Sequence, residues 1–228
     1  MSESDMKLAE LMSARVACSV GHELRNPLGV MSNAVYFLQT VLVDADETTR
    51  EYLDILKDEI ASSERIVSDL LDTVCHHSQH PEMVGARELL EKTLRKCAVP
   101  SCVTVKLDIP VSLSKLWVDP QQIQLVLRNL ISNGIEAMPE GGTLEICAVE
   151  NTQDEDITIS VRDCGSGVMP EQLGKLFQPL FTTKAHGIGL GLVVVKNLTS
   201  ANGGNVWVES GAGKGSVFSV TLPCSGSS

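Results

Sequence analysis

Val20, Leu24, Leu28, Met31, Val35, Leu38 and Leu42 recur at three- and four-residue spacing near the start of the chain. At about 100° per residue they fall within about 40° of one line along a helix. A stripe of that length predicts one amphipathic helix over residues 5–43. Asp44-Ala-Asp-Glu47 then reads as a polar turn, and Thr48-x-x-Glu51 has the form of a capping box that opens a second helix. Leu53, Leu56, Ile60, Val67, Leu70, Leu71 and Val74 give that helix its own apolar stripe. Two helices joined by a short turn make a helical hairpin. One hairpin cannot cover two long stripes, so a second copy is expected to complete a dimeric four-helix bundle through residues 5–75. Packing against the rest of the same chain is the alternative.

His22 falls about 160° from the stripe, with Asn26 one turn further on the same face. An exposed imidazole beside a carboxylate, here Glu23, is a nucleophile with a proton acceptor at hand. A surface histidine on a coiled-coil helix would look the same, and this helix alone leaves both readings open. Pro27 lacks an N–H and deprives the Glu23 carbonyl of its helical partner, which makes a bend possible beside His22.

Composition narrows the class. The chain has 228 residues, 43% hydrophobic and only 4% aromatic, so its core is expected to be aliphatic. No apolar run is long enough to span a bilayer, and the acidic, polar start is no signal peptide. Seven scattered cysteines with no C-x-x-C pair read as reduced core residues of a cytoplasmic protein. Net charge is −11 and argues against nucleic-acid binding.

Two domains are expected, 1–78 and 79–228. Residues 76–85 lose the helical period and contain Pro81 and Gly85, so they read as the linker. His76, His77 and His80 lack a second ligand cluster and read as a solvated helix end rather than a metal site. Helices are expected at Ala86–Cys97, Gln121–Met138, Glu171–Leu176 and Leu190–Ala201. Strands are expected at Val103–Ile109, Thr143–Val149, Ile157–Asp163, Val206–Glu209 and Ser216–Leu222. Asp119-Pro120 is a cap followed by proline in the first turn. The mixture suggests an α+β sandwich with helices on one face of a mixed sheet.

Four clusters in the second half carry chemistry. Asn129, Asn133 and Glu136 recur at i, i+4 and i+7, an oxygen-rich stripe that could hold Mg²⁺ and phosphate or simply face solvent. Asp163-Cys-Gly165-Ser-Gly167 ends a strand; its carboxylate could accept from an amino group such as that of adenine, and its glycines admit a flat ring. A plain turn would carry the same residues. Phe177-Gln-Pro-Leu-Phe-Thr182-Thr183-Lys184 offers a cation for phosphate, or an exposed lysine. Gly187-Ile-Gly189-Leu-Gly191-Leu192 runs into a helix start, where free N–H groups favour phosphate.

Taken in order and spacing, His22, the Asn129/Asn133 helix, Asp163-x-Gly-x-Gly, Phe-Thr-Thr-Lys and Gly-x-Gly-x-Gly resemble the sensor histidine kinases of two-component signalling, over roughly residues 5–224. The resemblance implies a dimerisation and histidine-phosphotransfer hairpin followed by a GHKL-type ATP-binding domain, shared with gyrase, mismatch-repair and heat-shock chaperone ATPases. It implies His22 as phosphoacceptor, Glu23 as general base, and Asn26 as the residue that positions water for dephosphorylation of a partner. It implies Asn133 as the Mg²⁺ ligand, with asparagine at Asn129 in place of the glutamate of the related ATPases. Asp163 would read the adenine amino group, beside Gly165 and Gly167. Thr182, Thr183, Lys184, Gly187, Gly189, Gly191 and Leu192 would cover the phosphates, and Ser216 would help hold the adenine. Many members carry a basic residue where Glu136 stands, so its place among the ATP-binding residues is that of a departure. ATP and Mg²⁺ are the implied cofactors, and a response-regulator receiver domain is the implied partner. The other classes to weigh are a conformational ATPase of the same fold and an inactive dimeric scaffold.

Overall fold

The computed structural model describes residues 3–74, 79–183 and 189–224, with the backbone alone described at 3–20, 22, 65, 69, 70 and 72–74. The chain divides into two compact units, one formed by 1–77 with 182–190 and the other by 78–181 with 191–228.

The first unit is a helical hairpin. Helix α1 spans Glu3–Val41 and runs unbroken through Pro27; α2 spans Glu47–Val74. The cap of α2 differs from the expectation. Asp46 takes the cap position instead of Thr48: it accepts the N–H of Thr49 at 2.7 Å, and the helix starts at Glu47, before Thr48. Val35 faces inward with Leu53, Val67 and Leu71. A Cβ at Gly21 would lie 2.2 Å from Leu71 Cδ2, so glycine lets the two helices close just before His22. Arg25 donates to Ser68 Oγ and Gln39 to Asp54 across the pair. Much of the described stripe stays open: Leu24, Met31, Leu38 and Leu42 are exposed and Leu28 is half-buried, while Ile55 and Leu56 are exposed on α2. Among the described residues these apolar rows lie open on the hairpin.

In the second unit the order is β1 (Glu82–Gly85), α3 (Ala86–Leu94), β2 (Val103–Asp108), β3 (Lys115–Val118), α4 (Pro120–Glu136), β4 (Gly142–Asn151), β5 (Asp156–Asp163), α5 (Pro170–Leu173), α6 (Gly191–Ala201), β6 (Asn205–Ser210) and β7 (Ser216–Pro223). Five strands form one mixed sheet in the order β2-β4-β5-β7-β6, with β2 parallel to β4 and the other pairs antiparallel. Leu144, Ile146, Ile157, Ile159, Val220 and Leu222 are buried, and Ile123, Leu127, Leu130 and Ile131 of α4 join the same core with Val194 and Val195 of α6. Glu145 and Arg162 alternate with these buried residues and face away. This is the α+β sandwich expected.

Two segments depart from the sequence reading. Residues 82–85, read as linker, are a strand paired antiparallel with Lys115–Val118, which had no expectation of its own. Helices α3 and α4 end at Leu94 and Glu136, short of Cys97 and Met138, and α5 spans Pro170–Leu173 rather than Glu171–Leu176. His76 and His77 lie outside the described residues.

Candidate functional site

Helix α4 presents the polar stripe. Asp119 caps it, accepting the N–H groups of Gln121 and Gln122 at 2.9 and 3.1 Å, with Pro120 in the first turn. Asn129 and Asn133 are half-buried, and Glu136 is exposed at the helix end. The Asn129 amide donates to the carbonyl of Leu125 at 3.0 Å, which turns its oxygen outward from the helix axis. A Cβ on Gly191 would stand 2.8 Å from that oxygen. A side chain on residue 191 would therefore press on the Asn129 amide where the start of α6 approaches α4. The third glycine of Gly-x-Gly-x-Gly has its reason there.

One turn on, α4 reaches the end of β5. A Cβ at Gly134 would fall 2.5 Å from Leu144 Cδ1 and 3.6 Å from Asp163 Cβ, which brings the helix against Asp163 next to Asn133. The Asp163 side chain is 4% exposed. Its Oδ1 accepts the N–H of Gly165 at 2.9 Å and that of Ser216 at 3.2 Å. The turn that follows is fastened to α4: Ser166 donates its N–H to the Ala137 carbonyl at 3.3 Å, and a Cβ on Gly165 would lie 2.3 Å from that oxygen. Gly167 has φ +67° and no room for a side chain beside Gly211.

Ser216 pairs in register with Asp163 on one side and Ser210 on the other, so three polar residues cross the sheet in one row. Ser210 donates its hydroxyl to the Gly215 carbonyl at 2.9 Å and takes the Val168 N–H at 2.9 Å. Its one proton is committed, so the 2.9 Å contact with Ser216 Oγ is a bond donated by Ser216. Ser210 carried no motif and was not foreseen. Gly134 lay between Asn129 and Glu136 of the noted stripe but was given no role.

The structure thus gathers Asn129, Asn133, Glu136, Asp163, Gly165, Gly167, Gly191 and Ser216 in one unit, with Leu192 half-buried in the first turn of α6. Thr182 and Thr183 are exposed and group with Gly189 in the other unit. Lys184 and Gly187 lie outside the described residues. On the hairpin, Glu23 and Asn26 are exposed, and His22 occupies α1 with its side chain outside the described residues.

A cavity of about 540 Å³ opens on the outward face of the sheet, among Glu145, Arg162, Glu209 and Lys214. Asp163, Ser210 and Gly215 also line it, so it adjoins the row that Ser216 shares with Asp163 and Ser210. Nearby on that face, burial pushes the Cys147 thiol up, aided by Asp108 and Glu145, so it is not a thiolate at neutral pH.

Two family models match the chain. Residues 12–78 match the His Kinase A (phospho-acceptor) domain, and residues 118–226 match the histidine kinase-, DNA gyrase B- and HSP90-like ATPase. The chain belongs to the sensor histidine kinases. Sensor histidine kinase ZraS of Salmonella typhimurium is 34% identical to it over 224 residues, 96% of this chain and 48% of that protein. Sporulation kinase E of Bacillus subtilis is 30% identical over 213 residues, 91% of this chain and 28% of that protein. The chain therefore spans about half, or less, of the length of those relatives. Full-length ShkA, solved with AMPPNP, shares the fold at TM-score 0.71 and 22% identity, covering 92% of this chain and 45% of that one. ThkA, solved with the response regulator protein TrrA, reaches TM-score 0.66 at 27% identity, covering 98% of this chain and 64% of that one. Among the described residues, no helix is long and apolar enough to cross a membrane.

Proposed function

We propose that this chain is the core of an ATP-dependent protein-histidine kinase, with domains 1–78 and 79–228, that phosphorylates itself on His22 and passes the phosphoryl group to an aspartate of a response-regulator receiver domain. The observation that carries the reading is the convergence of Asn129, Asn133 and Asp163 at one end of the sheet, walled by glycines whose Cβ positions are filled by neighbouring atoms. That wall fits a flat purine base. The half-buried carboxamide of Asn133 fits a hard cation that takes oxygen ligands. Bound there, ATP with Mg²⁺ supplies a transferable γ-phosphoryl group.

The roles of the chain's own residues follow from their chemistry. Asp163 accepts the adenine amino group, and Ser216 steadies the base from the same row. Gly187, Gly189, Gly191 and Leu192, with Thr182, Thr183 and Lys184, close over the phosphates; Glu136 borders them without binding directly. Asn133 presents its oxygen to Mg²⁺. Asn129 cannot remove a proton from water, as a carboxylate could, and so leaves the phosphoryl group for histidine. Glu23 takes the imidazole proton of His22 while the other ring nitrogen bonds to the γ-phosphorus and the bond from that phosphorus to the β–γ bridging oxygen breaks, releasing ADP. Transfer onward breaks that P–N bond and forms the aspartyl phosphate. Asn26 orients water for the opposing dephosphorylation. The apolar stripes of α1 and α2 suit a homodimer through residues 5–75. Free thiols at Cys97, Cys102, Cys147, Cys164 and Cys224, together with the need for ATP, suit the cytoplasm. A conformational ATPase or silent scaffold is not favoured, because the phospho-acceptor model matches residues 12–78.

The test is incubation with γ-labelled ATP and Mg²⁺, followed by acid and base treatment of the labelled chain. Label is expected to survive base, to be lost in acid, and to be absent from His22→Gln while that variant still binds ATP. Label that persists in His22→Gln overturns the assignment.

A further inference from the structure

The chain enters the ATPase-type unit beside a buried polar junction, of which only the Asp119-Pro120 cap shows in the sequence. Asp119 is 5% exposed, Gln122 1% and Asn202 9%. One carboxylate oxygen of Asp119 caps α4 through Gln121 and Gln122. The other accepts the backbone N–H of His80 at 2.9 Å. Asp119 donates its own N–H to Asn202 Oδ1 at 2.8 Å, and the Asn202 amide donates to Gln122 Oε1 and to the Leu198 carbonyl, each at 2.8 Å. The Gln79 side chain donates to the Ala201 carbonyl at the end of α6. Three elements therefore meet: the start of α4, the end of α6 and the incoming residues 79–80.

A cap alone needs a single side-chain acceptor, and serine supplies one. The second oxygen of Asp119 does something a cap does not require. It holds a backbone N–H, so the hold is indifferent to the side chain at position 80. The bond is charge-assisted and buried at its acceptor, hence stronger than a neutral surface bond. The two helices tied here are those that bring Asn129 and Gly191 together.

We propose that Asp119 is a positioning residue, a latch that pins the segment arriving from the helical hairpin to the shared end of α4 and α6. The inference rests on the kinase reading above. With the latch closed, the tether between the domains ends at residue 79; released, it ends at Glu82, where β1 begins. Effective concentration falls as a tether lengthens, so release lowers encounter of ATP with the hairpin, and lost orientation lowers it further.

The experiment breaks the latch from both ends in the full chain. Gln79→Ala/His80→Pro removes both donors and leaves the helix cap. Asp119→Ser keeps the cap and removes the second acceptor. Each is expected to lower kcat for self-phosphorylation about two- to fivefold with KM for ATP unchanged, and the combined variant to fall no further, because both changes break one link. His80→Ala keeps the N–H and is expected to match the unaltered chain. Hydrogen exchange supplies a readout apart from activity: the His80 amide is expected to be protected, and to lose protection in Asp119→Ser. Unchanged kcat in Gln79→Ala/His80→Pro, multiplying effects in the combined variant, or an unprotected His80 amide overturns the latch. If the unaltered chain never labels His22, the kinase reading fails, and the amide measurement still decides the latch.

Discussion

The carbonyl oxygen of Ala137 would lie 2.3 Å from a Cβ on residue 165, so the chain can turn after Asp163 only where Gly165 has no side chain. A backbone oxygen cannot rotate away as a side chain can. Gly165→Ala is therefore expected to push the turn off α4, weaken ATP binding at least tenfold and cost about 1–3 kcal/mol of stability. Gly174→Ala is the control, since nothing stands within 4 Å of its Cβ position. Calorimetric titration with a non-hydrolysable ATP analogue and thermal melts check both; equal binding by the two variants would count against the turn as a wall of the site.

Asp163→Asn separates structure from recognition. An amide oxygen can still accept the Gly165 and Ser216 N–H groups that the carboxylate oxygen now takes. The melting temperature is expected to move little, whereas affinity for ATP is expected to drop about tenfold through loss of a charged acceptor, roughly 1.4 kcal/mol. Unchanged affinity removes Asp163 from the adenine site.

Asn26 is exposed on α1, one turn from His22. Asn26→Ala is expected to keep most self-phosphorylation and to lose dephosphorylation of an aspartate-labelled response-regulator domain, because a methyl group cannot orient water. Equal clearance of label by both forms would rule out the hydrolytic role.

Leu24, Met31, Leu38 and Leu42 leave an apolar row exposed on α1. Light scattering at micromolar concentration is expected to give about twice the chain mass, and Met31→Glu/Leu38→Glu to give about one chain mass with helical circular dichroism largely retained. A monomer in the unaltered chain contradicts the bundle.

Acid should loosen the hairpin at its turn. Hydrogen bonds from Thr49, its hydroxyl first and its N–H second, hold the Asp46 carboxyl below its usual value of 3.8. A carboxylate depressed on folding adds stability above its unfolded pKa, and this contribution is lost as pH falls through the folded value. The melting temperature should therefore drop below about pH 3.8, with a smaller slope in Asp46→Asn. Identical slopes would remove the cap from the acid response.

The parts legible in the sequence were those whose cause is local. Asp119-Pro120 announced the start of α4 because a cap and a fixed φ act within one turn. The alternation of Leu144, Ile146 and Ala148 announced β4 because its buried face recurs every second residue. At the hairpin turn two capping patterns overlapped, and Asp46 took Thr49 before Thr48 could cap. Strand β3 stayed hidden: Lys115–Val118 is short, and its partner Glu82–Gly85 lies far back in the chain. The same holds for the site. Asp163 and Asn133 stood in motifs, but the meeting of Gly191 with Asn129 and the Ser210–Ser216–Asp163 row depend on contacts that no local spacing encodes.

The parallel pairing of β2 with β4 has a consequence for how the chain is made. Antiparallel neighbours such as β4 and β5 can zip together as soon as their turn emerges from the ribosome. Val103 has no such neighbour in waiting; its partner, Gly142, is synthesised only after β3 and all of α4. During that interval β2 is a bare template for any stray strand, and pairings of this non-local kind form slowly. Lys106 and Asp108, charged and exposed on β2, are what a nascent chain would carry there to discourage misassembly before its proper neighbour arrives.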